Sequence, residues 1–97
     1  MRTKISNLPN RYTMIIDVSP KNAITIKVQK LEAELVLSER LKLPAPASIL
    51  VKTTKEKLIV KFVLDDSSSE WGDIKIDFKS GEILFSHDGK EHWFILA

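Results

Sequence analysis

The chain contains no cysteine. That excludes a disulfide framework, a thiolate nucleophile and a cysteine metal site, so the fold must be held by its apolar core alone. Glycine is scarce as well. All three glycines, Gly72, Gly81 and Gly89, sit beside expected turns, which leaves none for a Walker phosphate loop or a dinucleotide fingerprint. A dominant charge is also missing: fifteen basic against thirteen acidic residues leave a net charge of +2. A field so small implies no polyanionic partner by itself. The longest apolar run, Trp93 to Ala97, falls far short of the roughly 20 residues of a membrane-spanning helix. The opening Met1-Arg2-Thr3-Lys4-Ile5 is not followed by the apolar stretch of a secretory signal. A cytoplasmic protein without membrane contact is therefore expected.

What is present is ordinary globular composition, 43% apolar and 29% charged, which opposes wholesale disorder. A chain of 97 residues has room for one domain. We expect a single domain over residues 1–97 with a stiff Pro-rich connector at 44–47, because neither flank is long enough to fold comfortably alone.

Period-two alternation dominates the sequence and predicts a mainly β fold, a single antiparallel meander closing into a small sandwich or partly open barrel. Tyr12, Met14, Ile16 and Val18 fall on one side of a first alternating stretch, and Ile24, Ile26 and Val28 on one side of a second. Ser19-Pro20-Lys21-Asn22 between them reads as a turn. Ser19 as N-cap and Pro20 at the first helical position supply the rival reading, an α+β fold with one helix within 23–42. From Leu31 to Leu43 the apolar residues Leu31, Ala33, Leu35, Leu37, Leu41 and Leu43 keep to odd positions, with Val36 the exception, which favours strand. The parity change after Val28 predicts a bulge or bend near Gln29-Lys30.

The second half continues the pattern. Ser48–Thr54 and Lys57–Asp65 form an expected hairpin with Lys55-Glu56 at its tip, and the second of these strands is apolar on both faces, as befits a central strand. Asp73–Lys79 then alternates Ile74, Ile76 and Phe78 with charged residues. A two-residue turn at Ser80-Gly81 would pair Lys79 with Glu82, Phe78 with Ile83 and Ile76 with Phe85. At Asp88-Gly89 two registers stay open. A two-residue turn pairs Phe85 with His92; a three-residue loop pairs Ile83 with Trp93.

Catalytic signals are sparse. His87 and His92, with Asp88 and Glu91, form the one metal-like grouping, and only the two-residue register puts both imidazoles on one face, so no metal or cofactor is expected. Asp65, Asp66, Glu70 and Asp73 lack the spacing of a calcium loop, and no serine stands in a nucleophile elbow. No constellation resembles a known family.

Binding surfaces are better represented. Ile59, Val63, Leu84, Phe94 and Leu96 fall opposite the main apolar set, and Trp71 ends a polar loop beside Gly72. These six residues are the candidate contact set of a non-catalytic protein-binding module, an adaptor, inhibitor or neutralising partner that binds another protein or a second copy of itself. The alternative is a small β-barrel that binds nucleic acid through Lys52, Lys55, Lys57 and Lys61.

Overall fold

The computed structural model describes residues 1–38 and 41–96. The protein is mainly β, with two antiparallel sheets, no α-helix and no closed barrel among the described residues. The chain divides into two compact units, Met1–Pro44 and Ala45–Ala97, at the Pro-rich connector.

The first unit is a four-stranded meander, β1 (Arg2–Ile5), β2 (Tyr12–Val18), β3 (Ile24–Lys30) and β4 (Ala33–Leu37). Between β2 and β3 the loop is Pro20, Lys21 and Asn22. Asn22 N–H donates to the Ser19 carbonyl at 2.9 Å and Asn22 takes φ 65°, a type I turn followed by a left-handed residue. The Ser19 hydroxyl accepts from the backbone of Lys21 and Ala23, so its capping oxygen serves a turn and not the helix considered within 23–42. A three-residue loop preserves parity. Met14 therefore faces Val28 and Ile16 faces Ile26, with all four fully buried.

The parity change after Val28 arises from a chain reversal, and not from the bulge or bend expected near Gln29-Lys30. Leu31-Glu32 forms a two-residue turn with Leu31 at φ 55°. An even-numbered loop pairs residues of opposite parity, so Val28 faces Leu35 and Ile26 faces Leu37. Strand is thus the right reading for Leu35 and Leu37, whereas Leu31 belongs to the turn. The expected strand over 31–43 includes residues 39 and 40, which lie outside the described residues. Beyond them, Ala23 bridges to Lys42 and Leu43 is buried.

The second unit is a five-stranded meander, β5 (Ala47–Thr53), β6 (Lys57–Leu64), β7 (Glu70–Asp77), β8 (Glu82–His87) and β9 (Lys90–Ile95). Its tightest turns have local causes. The Thr54 hydroxyl accepts from the backbone of Glu56 and Lys57 at 3.2 Å each and closes the β5–β6 tip. Asp88 and Gly89 take φ 49° and 72°, positive values that a two-residue hairpin turn demands. His87 consequently pairs with Lys90 and Phe85 with His92, the first of the two registers considered.

The β7–β8 connection differs from the expected two-residue turn at Ser80-Gly81. Ile76 pairs with Ile83 and Ile74 with Phe85, a displacement of two residues from the expected pairing. Asp77 explains it. Its carboxylate accepts from the backbone N–H groups of Lys79 and Ser80 at 2.9 and 3.0 Å, while Gly81 N–H donates to the Asp77 carbonyl and Gly81 takes φ 79°. These bonds hold a longer loop. A slip of two keeps every side chain on its face, so the expected apolar face survives the altered register.

The same bonds from Ser80 and Lys79 hold the Asp77 carboxyl below its ordinary value of 3.8. A depressed folded-state pKa contributes stability above the unfolded value that is lost as pH falls through the folded one. Asp77→Ala is therefore expected to lower the urea midpoint above about pH 4, with the gap from the parent narrowing at more acid pH. A gap independent of pH would oppose this role.

Candidate functional site

Period two gives the five-stranded sheet two distinct faces. One carries Leu58, Val60, Phe62, Ile74, Ile76, Ile83 and Phe85, all buried. Phe94 pairs with Ile83, and Leu96, itself buried, donates its N–H to Gly81. Both residues therefore extend the buried face, which corrects their expected position opposite it. The reason is the Asp88-Gly89 register, which assigns the even-numbered residues of β9 to the face of Phe85.

Trp71 reaches the same interior through a bulge. Phe62 pairs with Gly72 while Val63 pairs with Glu70, leaving Trp71 as the extra residue. A bulge re-aims the side chain of its extra residue, and Trp71 is 8% exposed. Its ring meets Phe62 edge-on at 5.9 Å and stacks on His87 at 5.1 Å. His87 in turn stacks on His92 at 5.3 Å. The histidines thus continue an aromatic ladder, and no group of three or more metal-ligating side chains gathers among the described residues.

The opposite, open face has a different composition. Ile59 pairs with Lys75, Lys75 with Leu84, and Leu84 with Trp93. Glu82 pairs with Ile95 on the same face. Trp93 is 61% and Ile95 71% exposed, although neither belongs to the sequence-derived contact set. Their signal was available in the two-residue register, where odd-numbered residues of β9 share the face of Leu84. Ile59, Val63 and Leu84 are on this face as expected, each half-buried.

Charges of both signs surround the apolar row. A shallow depression of about 170 Å³ runs past Leu84 and Trp93, lined also by Lys57, Lys75, Asp77 and Glu82. Lys52, Lys57 and Lys61 share the open face and Lys55 occupies the β5–β6 tip. The cluster is partly neutralised, since Lys61 lies 3.7 Å from Glu70 and Lys57 pairs with Asp77. Phe62, Phe78 and Phe85 are buried and offer these lysines no stacking platform. Among the described residues no helix is long and apolar enough to cross a membrane.

No protein-family model, curated protein or solved structure matches the chain.

Gly72, the residue after the bulge, lets β7 approach β8 closely. A Cβ there would meet the Ser86 carbonyl oxygen at 2.5 Å and the His87 Cβ at 3.0 Å, and backbone cannot yield as a flexible side chain can. Gly72→Ala is expected to destabilise the protein by about 1 to 3 kcal/mol, measured by urea unfolding followed through Trp fluorescence. An unchanged midpoint would contradict this close packing.

Proposed function

We propose that this protein is a non-catalytic binding module for another protein, an adaptor, inhibitor or neutralising partner, and that the open face of its five-stranded sheet is the contact surface. The observation that carries the reading is the cross-strand pair Leu84–Trp93 flanked by Ile95, with Trp93 and Ile95 61% and 71% exposed. An aromatic anchor with aliphatic neighbours and a rim of mixed charge has the composition of an interface centre. Trp71 and Leu96 lie inside, so within the sequence-derived set the contact is assigned to Ile59, Val63 and Leu84, with Trp93 and Ile95 added. His87 and His92 are engaged in ring stacking, which supports a role other than acid–base chemistry. The cysteine-free sequence suits a reducing compartment, and we place the protein in the cytoplasm.

Pull-down from native-host lysate at low and high salt, with and without nuclease, tests this function. A near-stoichiometric protein should survive salt and nuclease, and Trp93→Ala should weaken its capture by about 2 kcal/mol, roughly 30-fold. The unfolding midpoint should barely move, because the ring is mostly exposed. Nuclease-sensitive capture lost steeply with salt and abolished by Lys52→Ala with Lys61→Ala would replace this reading with nucleic-acid binding.

A further inference from the structure

We infer that β5 is a self-pairing edge through which two copies of this chain join antiparallel about a two-fold axis. This site is separate from the Trp93 surface, and its argument does not depend on that reading.

β5 pairs with β6 on one side, and among the described residues no strand pairs with its other side. Hydrogen bonds at both ends define which groups are used: Thr54 N–H donates to the Lys57 carbonyl, and Asp65 N–H donates to the Pro46 carbonyl. In an antiparallel ladder the bonding direction alternates along each strand. Even-numbered residues of β5 therefore bond to β6. The N–H and C=O groups of Ala47, Ile49, Val51 and Thr53 point away from it, forming the row that an edge strand presents to another strand.

The strand is its own complement. An antiparallel pair about a two-fold axis joins residues of equal parity, because facing side chains must share a sheet face. Full overlap of a strand with its copy is then possible only for an odd number of residues. β5 has seven, Ala47–Thr53, with Leu50 at the centre. In that register Leu50 faces Leu50, Ile49 faces Val51 and Ala47 faces Thr53. Lys52, the one charged residue of the strand, faces Ser48, so the two positive charges stay apart. All four outward-facing residues fall in hydrogen-bonded positions, while the Leu50 pair falls in a closely spaced non-bonded one. Leu50 and Val51, on opposite faces, are 53% and 45% exposed; pairing would cover both.

β1 and β9, with even numbers of residues, lack this match, and β4 offers only a shorter one. β9 has six residues, Lys90–Ile95, so its centred register would set opposite faces together. β1 carries Arg2 and Lys4 in four residues, and β4 is shorter than β5 and carries Glu34. Charges and shortness are the usual means by which edges avoid pairing, and β5 has little of either.

The cysteine-free sequence permits a direct test. In Leu50→Cys the two introduced cysteines would have Cα atoms about 4.5 Å apart, within disulfide reach. In Lys52→Cys they would be displaced about 13 Å along the strands, beyond it. Mild oxidation should therefore link Leu50→Cys into a covalent dimer many-fold faster than Lys52→Cys. Val51→Pro removes an outward-facing N–H without touching the β6 ladder; it should stay folded by circular dichroism and sediment as a monomer where the parent sediments as a dimer. A parent that is monomeric at every concentration, equal cross-linking of the two cysteine variants, or a folded Val51→Pro that still dimerises would each overturn the proposal. Should Val51→Pro unfold, the comparison of cross-linking rates decides alone.

Discussion

Backbone hydrogen bonding between consecutive strands is the constraint on which each unit rests, because side chains alternate with period two and a slip of one residue would turn an apolar set to solvent. Loop length enforces that register. The Pro20–Asn22 loop preserves parity and brings Met14 and Ile16 against Val28 and Ile26; the Leu31-Glu32 turn reverses parity and brings Val28 against Leu35. Both arrangements place apolar residues beside apolar residues. Turn chemistry and binary pattern agree, which is the consistency across levels expected of a sequence that specifies one structure.

The five-stranded sheet departs from that regularity at the β6–β7 bulge. A regular β7 would direct Trp71 to the face of Asp73 and Lys75. The extra residue directs it instead among Phe62, Phe85 and His87, and Gly72 supplies the space for two backbones to approach. Burying a Trp side chain removes a large apolar area from water. The cost is local, one interrupted ladder position at the start of β7, and it makes His87 part of an aromatic stack in place of an exposed imidazole.

On the opposite face the balance differs. Lys75 separates Ile59 from Leu84 in one cross-strand row, and its long alkyl stem can lie between apolar neighbours while its charge stays hydrated. Asp73, Asp77, Glu70 and Glu82 offset the lysines of the same sheet. A surface of mixed sign with an apolar row suits a protein partner better than a phosphate backbone, which rewards concentrated positive charge. The two edges of this sheet also differ in character: β9 carries charge at its start, whereas β5 presents Ile49-Leu50-Val51 without a charge among them.

Most of the strands were legible in the sequence, because alternation and turn residues are local signals. Ser19-Pro20-Lys21-Asn22, Lys55-Glu56 and Asp88-Gly89 announced their reversals through backbone preferences that need no distant partner. Three features depended on more than alternation and turn residues. Leu31 looked like a strand residue until its positive φ and the pairing of Lys30 with Ala33 showed a turn. The Ser80-Gly81 register depended on the Asp77 carboxylate choosing backbone donors two and three residues away. Trp71 reads from sequence as the end of a polar loop and Phe94 and Leu96 as members of the opposite face, until the β6–β7 bulge and the Asp88-Gly89 register set all three on the buried side. The sequence by itself determined that the chain forms antiparallel strands and where most of them reverse. Tertiary structure decided which side of the sheet each of these aromatic and aliphatic residues occupies, since a face is defined by pairing between strands and not by any strand alone.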